Sequence, residues 1–178
     1  RERLFGFYPV PIEDFFMNLG SDGQQDYNTT IALIKTALFS EWNYRDSMAQ
    51  SLSGYFLLWV FVLLMIMSVA GLVITIVTVR KRKYAAEEIA FAAYYGTLIL
   101  SYTVYALKYP HICSMNFRFI VPITVCGAYF VARAASANEI LKKIYRIGAP
   151  AFALLSAVFY ILLMTYVKGE VTVVDVTW

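Results

Sequence analysis

The chain has 178 residues, of which 60% are hydrophobic and only 15% charged, with a formal net charge of +3 and a mean hydropathy of +0.62. A soluble domain is nearer half apolar and a quarter charged, so the composition excludes an ordinary water-soluble fold and points to membrane spans. No basic stretch is interleaved with aromatic residues, which sets a nucleic-acid surface aside.

Residues 1–53 are mixed in character and are expected outside the spans. Pro9 and Pro11 keep the first stretch extended or turning, and Gly20-Ser21-Asp22-Gly23 marks a loop. Asn28 or Thr29 stands where it can cap a helix over about 29–40, whose Ile31, Leu33, Ile34, Ala37 and Leu38 are spaced for one apolar face. With Phe39 and Trp42 close behind, that face has two destinations, the membrane surface or the rest of the same protein. Asn28-Thr29-Thr30 also matches the N-glycosylation triplet, which has meaning only in a secretory-pathway host.

Four spans are expected, giving an all-α membrane protein. The first runs from about 55 to 79 and stops at Arg80-Lys81-Arg82-Lys83. The second runs from about 89 to 107, with Glu87 and Glu88 at its start, solvated or paired with that basic run. The third covers about 119–135, followed by a polar connector carrying Arg133, Glu139, Lys142, Lys143 and Arg146. The fourth covers about 147–167, with Pro150 expected in the first helical turn, where its missing N–H costs little. The 80–88 and 133–146 connectors hold most of the basic residues, so the positive-inside rule places them in the cytoplasm. Residues 1–53, the 108–118 loop and the 169–178 tail then face the other side. The tail is rich in β-branched residues and strand-like, but too short to fold alone.

The polar break from Lys108 to Pro122 gathers the unusual residues: Lys108, Tyr109, Pro110, His111, Asn116 and Arg118. Lys108, His111 and Arg118 are the candidate substrate-binding residues. Arginine offers a planar fork for phosphate oxygens, lysine a compact charge, and a helix beginning near Phe117 would add free N–H groups. The plainer reading is open for each: Lys108 and Arg118 as snorkelling cations at span ends, and His111 as a structural loop residue rather than a general base. The carboxylates expected on the same side are Glu13, Asp14, Asp22, Asp26, Glu41 and Asp46, none in a pattern that marks a catalytic base.

Cys113 and Cys126 are expected to be free, because about 14 Å of helix would separate Cys126 from the loop. One histidine and two separated cysteines give no metal-ligand spacing, and no cofactor motif is present. Nor do the expected spans carry the interior charges of a proton relay or ion path.

Two stretches resemble parts of large bacterial membrane glycosyltransferases of the GT-C architecture, the protein mannosyltransferases and lipid A aminoarabinose transferases. They are Asp26-Tyr27-Asn28-Thr29-Thr30-Ile31-Ala32-Leu33-Ile34-Lys35-Thr36-Ala37-Leu38-Phe39-Ser40-Glu41, and Pro110 to Pro122 with its Phe117-Arg118-Phe119-Ile120-Val121-Pro122 run. The resemblance implies transfer of a sugar from a polyprenyl-phosphate donor to an acceptor outside the bacterial cytoplasmic membrane, with Arg118 on the donor phosphate. It also implies that this chain is the C-terminal portion of such an enzyme. The catalytic acid and further N-terminal spans would then lie outside it, as the opening Arg1-Glu2-Arg3 also suggests. The alternative from another class is a non-catalytic tetraspan transporter subunit or assembly scaffold.

Overall fold

The structure, a computed structural model, describes residues 29–39, 48–79, 86–109 and 117–166. Among them the chain is all-α: α1 (Thr29–Phe39), α2 (Met48–Val79), α3 (Ala86–Lys108), a 3-10 turn (Phe117–Ile120), α4 (Ile123–Ala137) and α5 (Glu139–Tyr166). The strand-like tail and the basic run at 80–83 lie outside the described residues.

Helix α2 has 32 residues and α5 has 28, about 48 Å and about 42 Å at 1.5 Å per residue, and α3 with 23 reaches about 34 Å. Each exceeds the roughly 30 Å of a bilayer's hydrocarbon core. Among the described residues, these three are the helices long and apolar enough to cross a membrane. The segment expected as the third span differs. Its α-helix has 15 residues, about 22 Å, and is preceded by the four-residue 3-10 turn. Val121 and Pro122 separate the two, and Pro122 has no N–H with which to extend the first turn of α4 backwards.

The junction of α4 and α5 corrects the expected polar connector. Only Asn138 lies between the helices, in an extended conformation, φ −148° and ψ 134°. Its side-chain Oδ1 accepts from the Ile140 N–H at 2.7 Å and its carbonyl accepts from the Lys142 N–H at 2.9 Å, so it is a strong N-cap. The basic residues Lys142, Lys143 and Arg146 therefore sit on the first two turns of α5 rather than in a loop. Pro150 consequently falls inside the helix, not in its first turn, and leaves the Arg146 carbonyl without its usual helical donor.

The helices alternate in direction. Phe61 stacks on Phe152 at 5.9 Å and Leu64 lies by Gly148, while nearer the start of α2 Leu57 and Leu58 meet Phe159, so α2 and α5 are antiparallel. Ser68 opposes Gly127 and Gly71 opposes Phe130, so α2 and α4 run parallel. Phe91 stacks on Tyr129 and Tyr105 meets Phe119, which makes α3 antiparallel to α4. The α2–α4 crossing is the closest in the bundle. A Cβ on Gly71 would overlap the Phe130 backbone carbonyl, so the absence of a side chain is what lets the two backbones touch. Away from these contacts, Phe56, Trp59, Leu63, Ile66, Val69 and Val73 of α2 point outward at three- and four-residue spacing, as a lipid-facing stripe would.

Because α4 is short and lies level with the C-terminal half of α2, it leaves the N-terminal half of α2 uncovered on that side. Helix α1 fills the gap. Leu38 and Phe39 of α1, Leu57 and Leu58 of α2, and Phe159 of α5 form one buried cluster. Ala32 of α1 packs on Ala106 of α3. The sequence leaves α1 two destinations, and the structure gives the second: it packs within the same protein. It is also more enclosed than one apolar face requires, since Thr29, Lys35 and Thr36 are buried along with Ile31 and Leu38.

Candidate functional site

The α1 end of the bundle brings together the N-terminal half of α2, the last turns of α3 and α5, and the 3-10 turn. Three hydrogen bonds fix α1 there, each from a different element. The Tyr102 hydroxyl of α3 donates to the Thr29 carbonyl at 3.3 Å, and the Tyr160 hydroxyl of α5 donates to the Leu38 carbonyl at 2.8 Å. The Leu38 carbonyl belongs to the last turn of α1, where no intrahelical donor is available, so Tyr160 acts as a C-terminal cap supplied from another helix. The Phe117 N–H donates to Thr36 Oγ1 at 2.9 Å, and the same hydroxyl donates to the Ala32 carbonyl at 2.7 Å. Tyr102 lies nearly two turns inside the end of α3, about 9 Å, so α1 is set into the bundle rather than laid across its rim.

The Thr36 contact revises one expectation for the polar break. The helix expected near Phe117 is a 3-10 turn, and its first N–H is already used by Thr36, so it is not available to a phosphate. Arg118 and Lys108 are both exposed at this end. The Arg118 guanidinium lies over the Phe119 ring at 5.3 Å, and the Lys108 ammonium lies over the Tyr109 ring at 5.4 Å. Tyr105 joins the two, with ring centroids 5.6 Å from Phe119 and 5.0 Å from Tyr109. The two cations are thus carried on one contiguous aromatic patch. His111 lies outside the described residues, as do Cys113 and all six candidate carboxylates, Glu13, Asp14, Asp22, Asp26, Glu41 and Asp46. Cys126 is free and buried. No group of three potential metal-ligating residues occurs among the described residues.

Lys35 reads from the sequence as a helix-surface group, and the structure buries it. It stands on α1 between Ala32 and Phe39, both fully buried, and is itself only 3% exposed. Its place among Leu33, Ile34, Ala37 and Leu38, with Thr36 the one polar neighbour, does not by itself say which way a lysine turns. The signal appears only once α1 is seen to insert between spans.

The opposite end holds a second polar cluster. Arg133, expected in a connector, is inside α4 and turned into the bundle. Its Nη2 lies 3.6 Å from Glu88 Oε1 of α3 and 3.5 Å from Thr78 Oγ1 of α2. Glu88 therefore pairs across to α4, and the run at 80–83, its other expected partner, lies outside the described residues. The side chains of Arg133 and Glu88 are 18% and 15% exposed, so the pair is largely withdrawn from solvent.

No protein-family model, curated protein or solved structure matches this chain.

Proposed function

We propose that this chain is the C-terminal membrane portion of a GT-C-type glycosyltransferase, moving a sugar from a polyprenyl-phosphate donor to an acceptor outside the bacterial cytoplasmic membrane. In this reading the 3-10 turn and α4 together complete a fourth pass, and α1, Lys108 and Arg118 face the extracytoplasmic side. The exposed Lys143 and Arg146 at the opposite end of the bundle support that orientation. The observation that carries the proposal is the exposed Arg118, held on the aromatic patch beside Lys108 at the end of the spans. There a guanidinium can receive two phosphate oxygens at headgroup depth while the polyprenyl chain stays in lipid. The Phe117-Arg118-Phe119-Ile120-Val121-Pro122 run that resembles this enzyme group contains the same arginine.

The reaction is attack of an acceptor hydroxyl on the anomeric carbon, with the sugar–phosphate bond breaking and the phosphate leaving on the lipid. Arg118 neutralises charge on the departing phosphate, and the base that takes the acceptor's proton comes from elsewhere in the full enzyme. Sugar transfer by the full-length protein from a polyprenyl-phosphate donor tests this. Arg118→Ala should lower transfer by about 10- to 100-fold, the range expected for losing a charge-assisted hydrogen bond worth about 1.5–3 kcal/mol. Expression should stay near normal, because the side chain is exposed. Unchanged transfer would remove Arg118 from the site.

A further inference from the structure

We infer that the outward stripe of α5 is a binding site for an anionic phospholipid, with the phosphate on Lys143 and Arg146 and an acyl chain along Ile147, Leu154 and Ile161. The site lies at the end of the bundle opposite Arg118 and does not depend on the transferase reading.

Helix length places the two cations. Helix α5 has 28 residues, and a hydrocarbon core of roughly 30 Å takes about 20 of them. Counted back from Tyr166, that core begins at Ile147, so Glu139–Arg146 project about 12 Å into the headgroup layer. Within this projection Glu139, the one carboxylate of α5, is taken by Lys142, whose Nζ lies 2.9 Å from Oε1. Lys143 and Arg146 are exposed and have no ion pair among the described residues. Residues three apart on a helix are neighbours, with Cβ atoms about 5–6 Å from each other, so both cations can reach one phosphate. They also stand in the opening turns of α5, at the end of the helix dipole that favours an anion.

The residues that follow supply the apolar half. Ile140, Ile147, Leu154 and Ile161 recur at every seventh position and are 68%, 73%, 66% and 61% exposed. Seven residues are close to two helical turns, so the four form one rail that passes Lys143 and continues into the hydrocarbon core. The other face of α5 is committed to the bundle: Leu141 and Ile144 pack toward Met67, Gly148 lies by Leu64, and Phe159 is fully buried. A negative head above an acyl chain matches this order of groups. A second copy of the chain, related by a twofold axis along the membrane normal, would instead set Lys143 and Arg146 against their own counterparts. Phosphatidylcholine would fill the rail but carries its own ammonium beside the phosphate.

The test uses the full chain in phosphatidylcholine nanodiscs with a trace of phosphatidylglycerol bearing a photoreactive group on one acyl chain. Crosslinks are expected on residues 147–161 of α5. Lys143→Gln and Arg146→Gln should each lower that labelling about fivefold, the loss expected for one cation at a membrane surface. The same photoreactive chain on a phosphatidylcholine headgroup should label α5 weakly and ignore both substitutions. Equal labelling by the two lipids, labelling indifferent to both substitutions, or crosslinks confined to other helices would each overturn the inference. Chain-to-chain crosslinks through α5 in place of lipid crosslinks would also overturn it, and would make the rail a seam between two copies. Should a variant fail to fold, salt tests the wild-type chain, since the screening length falls from about 10 Å at 0.1 M to about 3 Å at 1 M. Phosphatidylglycerol labelling that drops over this range supports the site, and labelling that holds constant overturns it.

Discussion

At the α1 end, a short helix is held by large side chains: Phe39 and Phe159 meet edge to face at 5.3 Å, with Leu38, Leu57 and Leu58 closing the cluster. At the opposite end, Met67 packs on the small residues Ala134 and Ala135, and an arginine and a glutamate link α4 to α3. Both ends bury polar groups, but by different means. The α1 end uses tyrosine hydroxyls to satisfy backbone carbonyls, so the hydrogen bonds there fix the position of a helix. The opposite end pairs charge with charge, so its contacts fix the spacing between two helices. The difference follows from what each end must hold. An inserted segment of 11 residues has too few hydrogen bonds of its own to be stable in isolation, so its position depends on tertiary packing. Helices α3 and α4 are anchored along their length and need only a clamp.

The largest expected effect is therefore at the aromatic cluster. Phe39→Ala leaves a cavity against Phe159 and should cost about 3 kcal/mol, the lower range for a buried phenylalanine. Proteolysis within residues 29–39 of the reconstituted protein should accelerate while the α2–α4 crossing stays intact. If cleavage spreads equally through the Glu88–Arg133 region, the two ends are one cooperative unit and the contrast fails.

Arg133→Met comes next. The Glu88–Arg133 pair is neither exposed nor fully buried. Its loss should cost about 2 kcal/mol, between the limits for surface pairs and for broken buried pairs. A double-mutant cycle with Glu88→Gln measured by denaturant unfolding in micelles checks it. A coupling energy near zero would leave Thr78 and packing, not charge, as the clamp.

The smallest effect is expected from Tyr160→Phe, which removes one hydroxyl donor and should cost about 1 kcal/mol. Tyr102→Phe should cost less, because its bond is 3.3 Å against 2.8 Å for Tyr160. Hydrogen exchange at α1 amides reads both. A reversed order would mean that α1 is held chiefly from its N-terminal end.

Much of the architecture was legible in the residue pattern. The apolar runs between Tyr55 and Val79 and between Ile89 and Leu107 lie inside α2 and α3, and the helix expected at about 29–40 is α1. The extensions were harder to see. Helix α2 begins at Met48, before the apolar run, because hydropathy marks where a helix meets lipid and not where its hydrogen bonds begin. The same distinction explains Lys142, Lys143 and Arg146, which composition assigns to a connector although Asn138 caps them into α5. At the candidate site, Lys108 and Arg118 stood out because charges beside apolar spans are conspicuous. Tyr105, which joins them, did not, because an aromatic residue in a span has no distinctive pattern.

The sequence by itself determined that this chain is helical and built for a membrane, since long apolar runs bounded by basic residues have few other solutions. It also marked Arg118 and Lys108 as charges at the ends of spans. Only the tertiary structure decided that α1 enters the bundle and that Lys35 goes with it, because burial depends on which neighbours arrive. Helix α4 is too short to cover α2 along its whole length, and the space it leaves is what α1 occupies.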